Sequence, residues 1–218
     1  MILKTKNRLF GRTKGRNKKK IFNNNYFETI QKYKLKKLYN SKKYILDIGS
    51  GYGETTIFLA KQYPEHKIIA CEKYIDGNIN LIKNIRTQKI KNIVIYPGNV
   101  IDVLDQYINK PYFDIISIFF PDPWPKKKHH KRRLISYEFL KKIYYLIRMG
   151  GEIIIVTDSI SYSTSIINTI YKCRNFFDWK NQSSLYLCFK YYYDLETKFY
   201  KKAIISGRNT SIFILKKI

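Results

Sequence analysis

The sequence predicts an α/β domain around an open, mostly parallel sheet, and two observations carry that expectation. Short apolar runs of strand length, at 44–48, 67–71, 93–96, 113–120 and 152–157, alternate with segments whose apolar residues recur at helical spacing. The first run passes directly into Gly49-Ser-Gly-Tyr-Gly53 and then into a helical pattern, the strand, glycine turn, helix order of a nucleotide-binding βα unit. In such a sheet ligands bind beyond the carboxyl ends of the strands, so the residues that follow each run are the ones to read for function.

Composition sets the bounds. The chain has 218 residues, which suits one domain burying roughly 70% of its unfolded surface. No apolar run reaches the roughly 18 residues that span a bilayer, and no leader-like apolar segment opens the chain, so no membrane partner is expected. Cys71, Cys173 and Cys188 are far apart and, with only three histidines, make no metal set; they point to a reducing cytoplasm and to no metal. The net charge is +26, from 42 Lys and Arg against 16 Asp and Glu. A charge that large on a small domain argues for a polyanionic partner. Lys, Asn, Ile and Tyr are enriched together, so part of the excess is compositional. The arginines clustered at Arg8, Arg12 and Arg16 and at Arg132-Arg133 are not explained that way.

Taken in order, residues 1–20 hold nine Lys and Arg, no acid and no serine, and read as a disordered basic arm ahead of a single domain at 21–218. Phe27, Ile30, Lys34 and Leu38 stand at helical spacing and predict a basic helix over 25–39. The run 44–48 is a short buried strand, and 54–63 a helix. Between them Gly49, Gly51 and Gly53 let the backbone turn and approach a ligand without a Cβ in the way. The second strand, 67–71, ends in Glu72, 19 residues past Gly53, where an acid accepts hydrogen bonds from ribose hydroxyls. An amphipathic helix follows at 76–89, with Ile79, Ile82 and Ile85 along one face. The third strand, 93–96, leads to Pro97-Gly98-Asn99, and the fourth covers 113–120. A helix over 135–148 ends at Gly150-Gly151 in the expected terminal position. The fifth strand, 152–157, closes on Asp158, and a helix covers 161–174. The remainder reads as strands at 185–193, 198–205 and 211–215, with Tyr191-Tyr192-Tyr193 a cluster of high β-propensity. No internal repeat or linker divides the chain.

The most specific stretch follows the fourth strand. It is Phe119-Phe-Pro-Asp-Pro-Trp-Pro125, then six Lys or Arg and two His in the eight residues 126–133. Pro121, Pro123 and Pro125 fix φ and bias their predecessors, so Asp122 and Trp124 are expected on a stiff extended segment at the ligand edge. One acid and one large aromatic on a rigid loop, then a dense positive cluster, suit a polyanion with one base held at a point.

This string resembles the signature of the bacterial tRNA (guanine-N7-)-methyltransferase family, which runs Phe-Pro-Asp-Pro-Trp, then a Lys, then a His and Lys-Arg-Arg. The resemblance extends in chain order over roughly 44–205. It implies a Rossmann-like class I methyltransferase fold, with a mostly parallel seven-stranded sheet, one antiparallel strand and helices on both faces. It implies S-adenosylmethionine as cofactor and tRNA as partner, with the guanine of the variable loop as target, for a monomer or homodimer. The Asp-x-Gly-x-Gly-x-Gly spacing agrees, since no pyrophosphate has to dock on the helix that follows. Asp47 is then expected to face the cofactor's positively charged methionine end, directly or through water, with Gly49, Gly51, Gly53 and Glu72 also on the cofactor. Asn99 stands where the family has an Asp that faces the adenine. Thr157-Asp158 with Tyr162 matches a Thr-Asp…Tyr pattern whose Asp is a substrate-site residue. Thr197-Lys198-Phe199-Tyr200 is similar to the family's Thr-Lys-Phe-Glu, which borders the guanine pocket, with Tyr200 in place of the Glu. The Gly11–Gly15 segment is similar to a short Gly-Arg segment that precedes the catalytic domain in one branch of the family.

The chemistry implied is undemanding in protons. Guanine N7 carries an in-plane lone pair and no hydrogen, so attack on a sulfonium methyl is a displacement that moves positive charge onto the purine. It needs alignment and acceptors for the developing cation rather than a strong base. Asp122 is the expected catalytic group, placed to contact the cofactor as well, and Asp158 a second acceptor. Lys126, with Lys128, His129, His130, Lys131, Arg132 and Arg133, suits phosphates, which supply affinity but no base identity. Two other readings compete. An adenine amino-methyltransferase uses an Asp/Asn-Pro-Pro-Tyr/Phe-like motif at the same strand end, and Pro121-Asp-Pro-Trp124 is related to it. A non-catalytic RNA-binding protein on the same fold would be consistent with Asn99 and Tyr200.

Overall fold

The computed structural model describes residues 24–107, 110–187 and 189–218; the basic arm expected at 1–20, with its Gly-Arg segment, lies outside the described residues. Seven strands form one sheet in the order β3-β2-β1-β4-β5-β7-β6. They are β1 (Tyr44–Ile48), β2 (Lys67–Cys71), β3 (Ile93–Tyr96), β4 (Phe113–Phe119), β5 (Ile147–Thr157), β6 (Phe177–Trp179) and β7 (Ser211–Lys217). β1 pairs parallel with β2 and β4, β2 with β3, and β4 with β5, while β7 runs antiparallel to both β5 and β6. The sheet is therefore mostly parallel with a single reversed strand, as the resemblance implied.

The strands are buried on both faces, which is why they read as continuous apolar runs. Along β1, Ile45 points to one core and Leu46 and Ile48 to the other. On the Leu46 side pack α4 (Val100–Tyr107), α5 (Tyr137–Leu146) and α6 (Ile160–Lys172), through Val103, Leu104, Phe139, Ile143, Tyr162 and Ile166. On the Ile45 side pack α1 (Asn24–Tyr33), α2 (Glu54–Gln62) and α3 (Ile75–Thr87), through Ile30, Leu59, Ala60, Leu81 and Ile82. A short α7 (Phe189–Tyr192) and α8 (Lys198–Ile205) complete the fold, with Phe189 and Leu195 joining that second core.

Three expectations are corrected. The segments expected as strands at 185–193 and 198–205 are a 3-10 turn with α7, and α8. Thr197 caps α8, its Oγ1 accepting from the Tyr200 N–H at 3.0 Å, and a capped Lys-rich run overrides the β-propensity of its aromatics. Gly150-Gly151 does not stop a helix; α5 ends at Leu146 and β5 begins at Ile147. The glycines sit in a bulge, where the pairing jumps from Phe113↔Ile147 to Ile115↔Glu152 and Gly150 takes φ 70°. The basic helix expected to Tyr39 stops at Tyr33, because Lys34 and Leu35 pair with Ile95 on the outer edge of β3.

Strand order reverses direction between β1 and β4. The loops leaving those two neighbours diverge, and the crevice between them is the usual ligand site of an open α/β sheet. The glycine turn leaves β1, and the proline segment leaves β4.

Candidate active site

A cleft of about 1430 Å³ opens at that switch point. Its floor is the glycine turn, its walls are Glu72 to Tyr74, Gly98 to Val100 and the 119–125 segment, and Thr197 to Phe199 closes one side.

The turn is fastened by its neighbours. The Gly49 N–H donates to the Cys71 carbonyl at 2.8 Å, and the Gly51 N–H donates to Glu72 Oε2 at 3.0 Å. Glu72 Oε1 accepts from the Tyr74 N–H at 2.8 Å. The carboxylate therefore holds the turn through one hydrogen bond on each oxygen, each of which has a further lone pair. Gly51 lies at φ 53° and Gly53 at φ 88°, the left-handed region that a side chain resists. Gly53 also faces Leu81, whose Cδ1 would stand 2.5 Å from an added Cβ. At Gly49 nothing lies within 4 Å of such a Cβ, so the floor is open there.

Asp47 is the first site residue the structure moves. Its side chain is fully buried behind the turn, not on the cleft. Thr56 Oγ1 donates to its Oδ2 at 2.5 Å and Ser117 Oγ to its Oδ1 at 2.8 Å. Burial pushes its pKa up to about 6, against the pull of those two hydroxyls. Direct contact with a methionine ammonium is corrected to a supporting role. Asp47 ties β1 to α2 and β4 beneath the turn.

Asn99 does line the cleft. Its Oδ1 accepts from the Ile101 N–H at 3.0 Å, capping α4. Asn and Asp cap equally well, so the helix start tolerates the exchange.

The proline segment is bent twice, not extended as expected. Phe120 takes φ 52° and Trp124 φ 45°, left-handed values unfavourable for aromatic residues. Each kink is held by contacts. The Phe120 N–H donates to Val156 O at 2.8 Å, and its ring stacks on Phe199, centroids 6.0 Å apart. The Trp124 ring lies 5.0 Å from the Arg132 guanidinium and packs edge-on to His129 at 5.9 Å. Asp122, exposed between the kinks, stands over the cleft.

The basic cluster divides. Lys127 to Arg132 form a 3-10 turn beside the cleft. Arg132 lines the cleft, whereas Lys126, Lys128 and Lys131 are exposed outside it, and His129 and His130 are half-buried. Burial and the cations Arg132, Lys126 and Lys131 hold the His129 imidazole below its ordinary pKa. Arg133 is corrected from a phosphate ligand to a clamp. It is 8% exposed, Nε donates to Pro123 O at 2.9 Å, and the other nitrogens reach Ser161 O at 3.0 Å and Ser161 Oγ at 2.8 Å. Its guanidinium also lies 4.9 Å from the Tyr162 ring. Each of its three nitrogens thus donates to the protein.

On the far wall, Thr197, Lys198 and Phe199 line the cleft, and Lys198 Nζ sits 5.4 Å from the Tyr52 ring. Tyr200 does not. In α8 it turns away to pack on Phe189 at 5.0 Å, so its place in the guanine pocket is corrected. Asp158 lies outside the cleft, its Oδ2 accepting from Arg208 Nε at 2.9 Å, and Tyr162 is buried, its hydroxyl accepting from the Ile135 N–H at 3.0 Å.

The geometry joins three separated stretches: a cradle at 49–53 with Glu72, a bent acid–aromatic loop at 119–125, and a capped helix start at 197–199. A family model described as "Putative methyltransferase" matches residues 41–211. The tRNA (guanine-N(7)-)-methyltransferase of Buchnera aphidicola subsp. Schizaphis graminum is 39% identical over 82% of this chain and 74% of its own. That of Wolbachia pipientis wMel is 32% identical over 84% and 88%. The chain belongs to the tRNA (guanine-N(7)-)-methyltransferase family. Among solved structures, an rRNA methylase from Streptococcus thermophilus superposes with a TM-score of 0.54 at 16% identity, covering 88% of this chain and 93% of that one. A Streptococcus mutans methyltransferase in complex with SAH gives 0.52 at 14%, covering 88% and 94%. At those identities the likeness shows the fold, in agreement with the seven-stranded sheet.

Two residues at or beneath the cleft escaped the sequence reading. Glu54 opens α2 and lines the cleft, and its Oε2 accepts from the Lys198 N–H at 2.8 Å. Gly77, inside α3, has the Gly51 carbonyl oxygen 2.2 Å from where a Cβ would stand. A glycine inside an amphipathic helical pattern was the available signal for Gly77.

Proposed function

We propose that this chain transfers the methyl group of S-adenosylmethionine to N7 of a guanine in the variable loop of tRNA. The observation that carries the reading is the cleft at the switch point, where the glycine cradle and the Asp122 loop face each other, in a chain of this family.

The residues present fit the cofactor. The open space at Gly49, the close seat of Gly77 under Gly51 and the half-used Glu72 carboxylate make a cradle for a nucleoside. Glu72 would take the ribose hydroxyls and Asn99 the adenine edge, with the turn at Gly49 and Gly51 under the amino-acid end. The bound cofactor supplies an electrophilic methyl on a cationic sulfur. Asp122 would hold the guanine or the cofactor's amino group and offset the positive charge as it arrives on the purine. Arg132 and Lys198 offer charges to the flanking phosphates, and Phe199 and Trp124 offer flat faces to a base taken out of its stack. Lys126, Lys128 and Lys131 extend the positive surface outward for further backbone, with His129 and His130 between them. Asp158, bonded to Arg208, would act on the substrate from outside the cleft wall. The arm at 1–20 would extend the RNA contact of the single domain that follows.

Incubation with methyl-labelled cofactor and unmodified tRNA, followed by nuclease digestion, tests the reading. 7-Methylguanosine from the variable loop is expected. Label on an exocyclic adenine nitrogen would instead assign an amino-methyltransferase, and no label with intact cofactor binding would assign an RNA-binding protein.

A further inference from the structure

A second groove lies at the opposite edge of the sheet, where β1 and β2 begin and β3 starts. It encloses about 750 Å³. Lys32, Lys34, Lys36 and Lys37 reach it from α1 and the segment after it, Lys42 and Lys43 from just before β1, and Lys67 from the start of β2, with Glu65 the one acid among the described lining residues. Seven of 16 lining residues are thus lysines, whereas lysine at the chain's own frequency, 33 in 218, would supply about two. Compositional drift does not produce that density.

The lysines stand on a fixed platform. Leu35 N–H donates to Ile95 O at 2.9 Å, Leu38 is buried, and the Tyr39 N–H donates to the Tyr44 hydroxyl at 3.1 Å. Arg148 donates to Asn40 O at 2.9 Å and to Lys42 O at 2.6 Å, and is itself anchored on Asp114 at 2.9 Å. A solvated loop has no need of such ties. Above the platform, the Tyr39 ring is 51% exposed, with Lys37 Nζ 5.5 Å and Lys42 Nζ 5.9 Å from its centre. A row of ammonium groups with no ion pair among the described residues, set around an exposed flat ring, matches a polyanion whose repeating unit carries both a phosphate and a base.

We propose that this groove is a second RNA site. It takes a stretch of the sugar–phosphate backbone of the same tRNA, remote from the methylated base, with Tyr39 as a stacking face. The proposal rests on the tRNA reading above. Strands of five residues, roughly 17 Å long, separate the two clefts. The groove borders the outer edge of the sheet, where Lys34 and Leu35 lie along β3, so a duplex passing that edge can touch both ends of the sheet.

The test uses the full chain with Lys36, Lys37 and Lys42 all replaced by Gln, which removes charge from exposed positions and breaks no hydrogen bond described here. The Kd for tRNA is expected to rise at least tenfold at physiological salt. The slope of log K against log salt should flatten by about two, while the cofactor Kd and kcat at saturating tRNA stay unchanged. Ultraviolet crosslinking of the unaltered protein to tRNA should place a nucleotide on Tyr39. An unchanged tRNA Kd and slope in the triple variant overturns the groove, even where the unaltered chain methylates tRNA. So does a loss confined to phosphatidylserine vesicles, which would assign the groove to a membrane surface. Failure of the unaltered chain to methylate tRNA counts against the function reading alone, because the binding measurements still decide the groove.

Discussion

The Glu54 carboxylate accepts a hydrogen bond from the backbone N–H of Lys198 at 2.8 Å, across 144 residues of sequence. It joins the first turn of α2, which leaves the glycine cradle, to the first turn of α8, which forms the opposite wall. An acid at a helix N-terminus satisfies an orphan donor and the positive end of the dipole. The two halves of the cleft are thereby held at a fixed spacing.

Glu54→Ala should release α8 from the cradle. A lost helix cap costs about 0.5–2 kcal/mol, so kcat/KM for tRNA is expected to fall roughly fivefold to tenfold, with the cofactor Kd within twofold. Glu54→Gln keeps an acceptor oxygen and should restore most of the loss. Steady-state kinetics on both variants checks this; equal damage from both would mean that the charge, not the tether, matters.

Asp122→Asn keeps shape and hydrogen-bonding capacity but removes the charge. The expected single-turnover rate, with tRNA and cofactor saturating, is lower by about 10²–10³, the size typical of one preorganised electrostatic group. Affinity for tRNA should change little. Near-normal rates in both Asp122→Asn and Asp122→Ala would leave the carboxylate as a turn residue only.

Arg132 and Arg133 are adjacent and should separate cleanly. Arg132→Ala should weaken binding to many RNAs alike and reduce the salt slope by roughly one. Arg133→Ala leaves Pro123 O without its donor and should cost about 2–3 kcal/mol, lowering Tm by roughly 5–10 °C. Thermal unfolding and salt titrations of the two single variants make the comparison; a salt-slope change in Arg133→Ala at unchanged Tm would return that residue to the RNA surface.

Asp47 makes stability depend on pH in a direction opposite to most carboxylates. Its pKa is raised to about 6 in the folded chain, against roughly 3.9 unfolded, so between those values the folded state holds the extra proton. Stability therefore falls as pH rises from about 4 to 6, by at most about 3 kcal/mol from this group. Asp47→Asn removes that dependence. Its Tm relative to the unaltered chain should climb between pH 4 and pH 6, and a difference flat across that range would show that Asp47 is ionised throughout.

Gly77→Ala would press a methyl group against the Gly51 carbonyl, backbone against backbone. The cradle must shift, and a cofactor Kd at least tenfold weaker by calorimetry is expected, with a smaller loss of Tm. A Kd within twofold would mean that α3 yields rather than the turn.

The parallel half of the fold was legible because each strand is buried on both faces and each helix on one, so periodicity alone separates them. The cleft was legible where a residue type has few uses, as with three glycines in five residues or three prolines in five. What was not legible depends on direction. Arg132 and Arg133 differ by one residue, yet one faces the cleft and the other a carbonyl beneath it. Asp47 reads as a cofactor acid until Thr56 and Ser117, far apart in sequence, are seen to occupy both its oxygens. Tyr200 follows three residues that line the cleft, but in a helix the next position turns away. The three-residue β6 lies below the length at which a pattern can register.

β7 enters the sheet between β5 and β6, and every residue lining the main cleft precedes it in the chain. During synthesis the ribosome thus delivers a complete set of cleft residues before the sheet can close. A nascent chain ending near residue 205 would carry the cradle and the acid loop while β5 lay as a bare apolar edge, with Ile153, Ile155 and their neighbours unpaired on one side. For that interval the unfinished protein is most open to pairing with another nascent chain, and slow codons between α8 and β7 would lengthen the exposure.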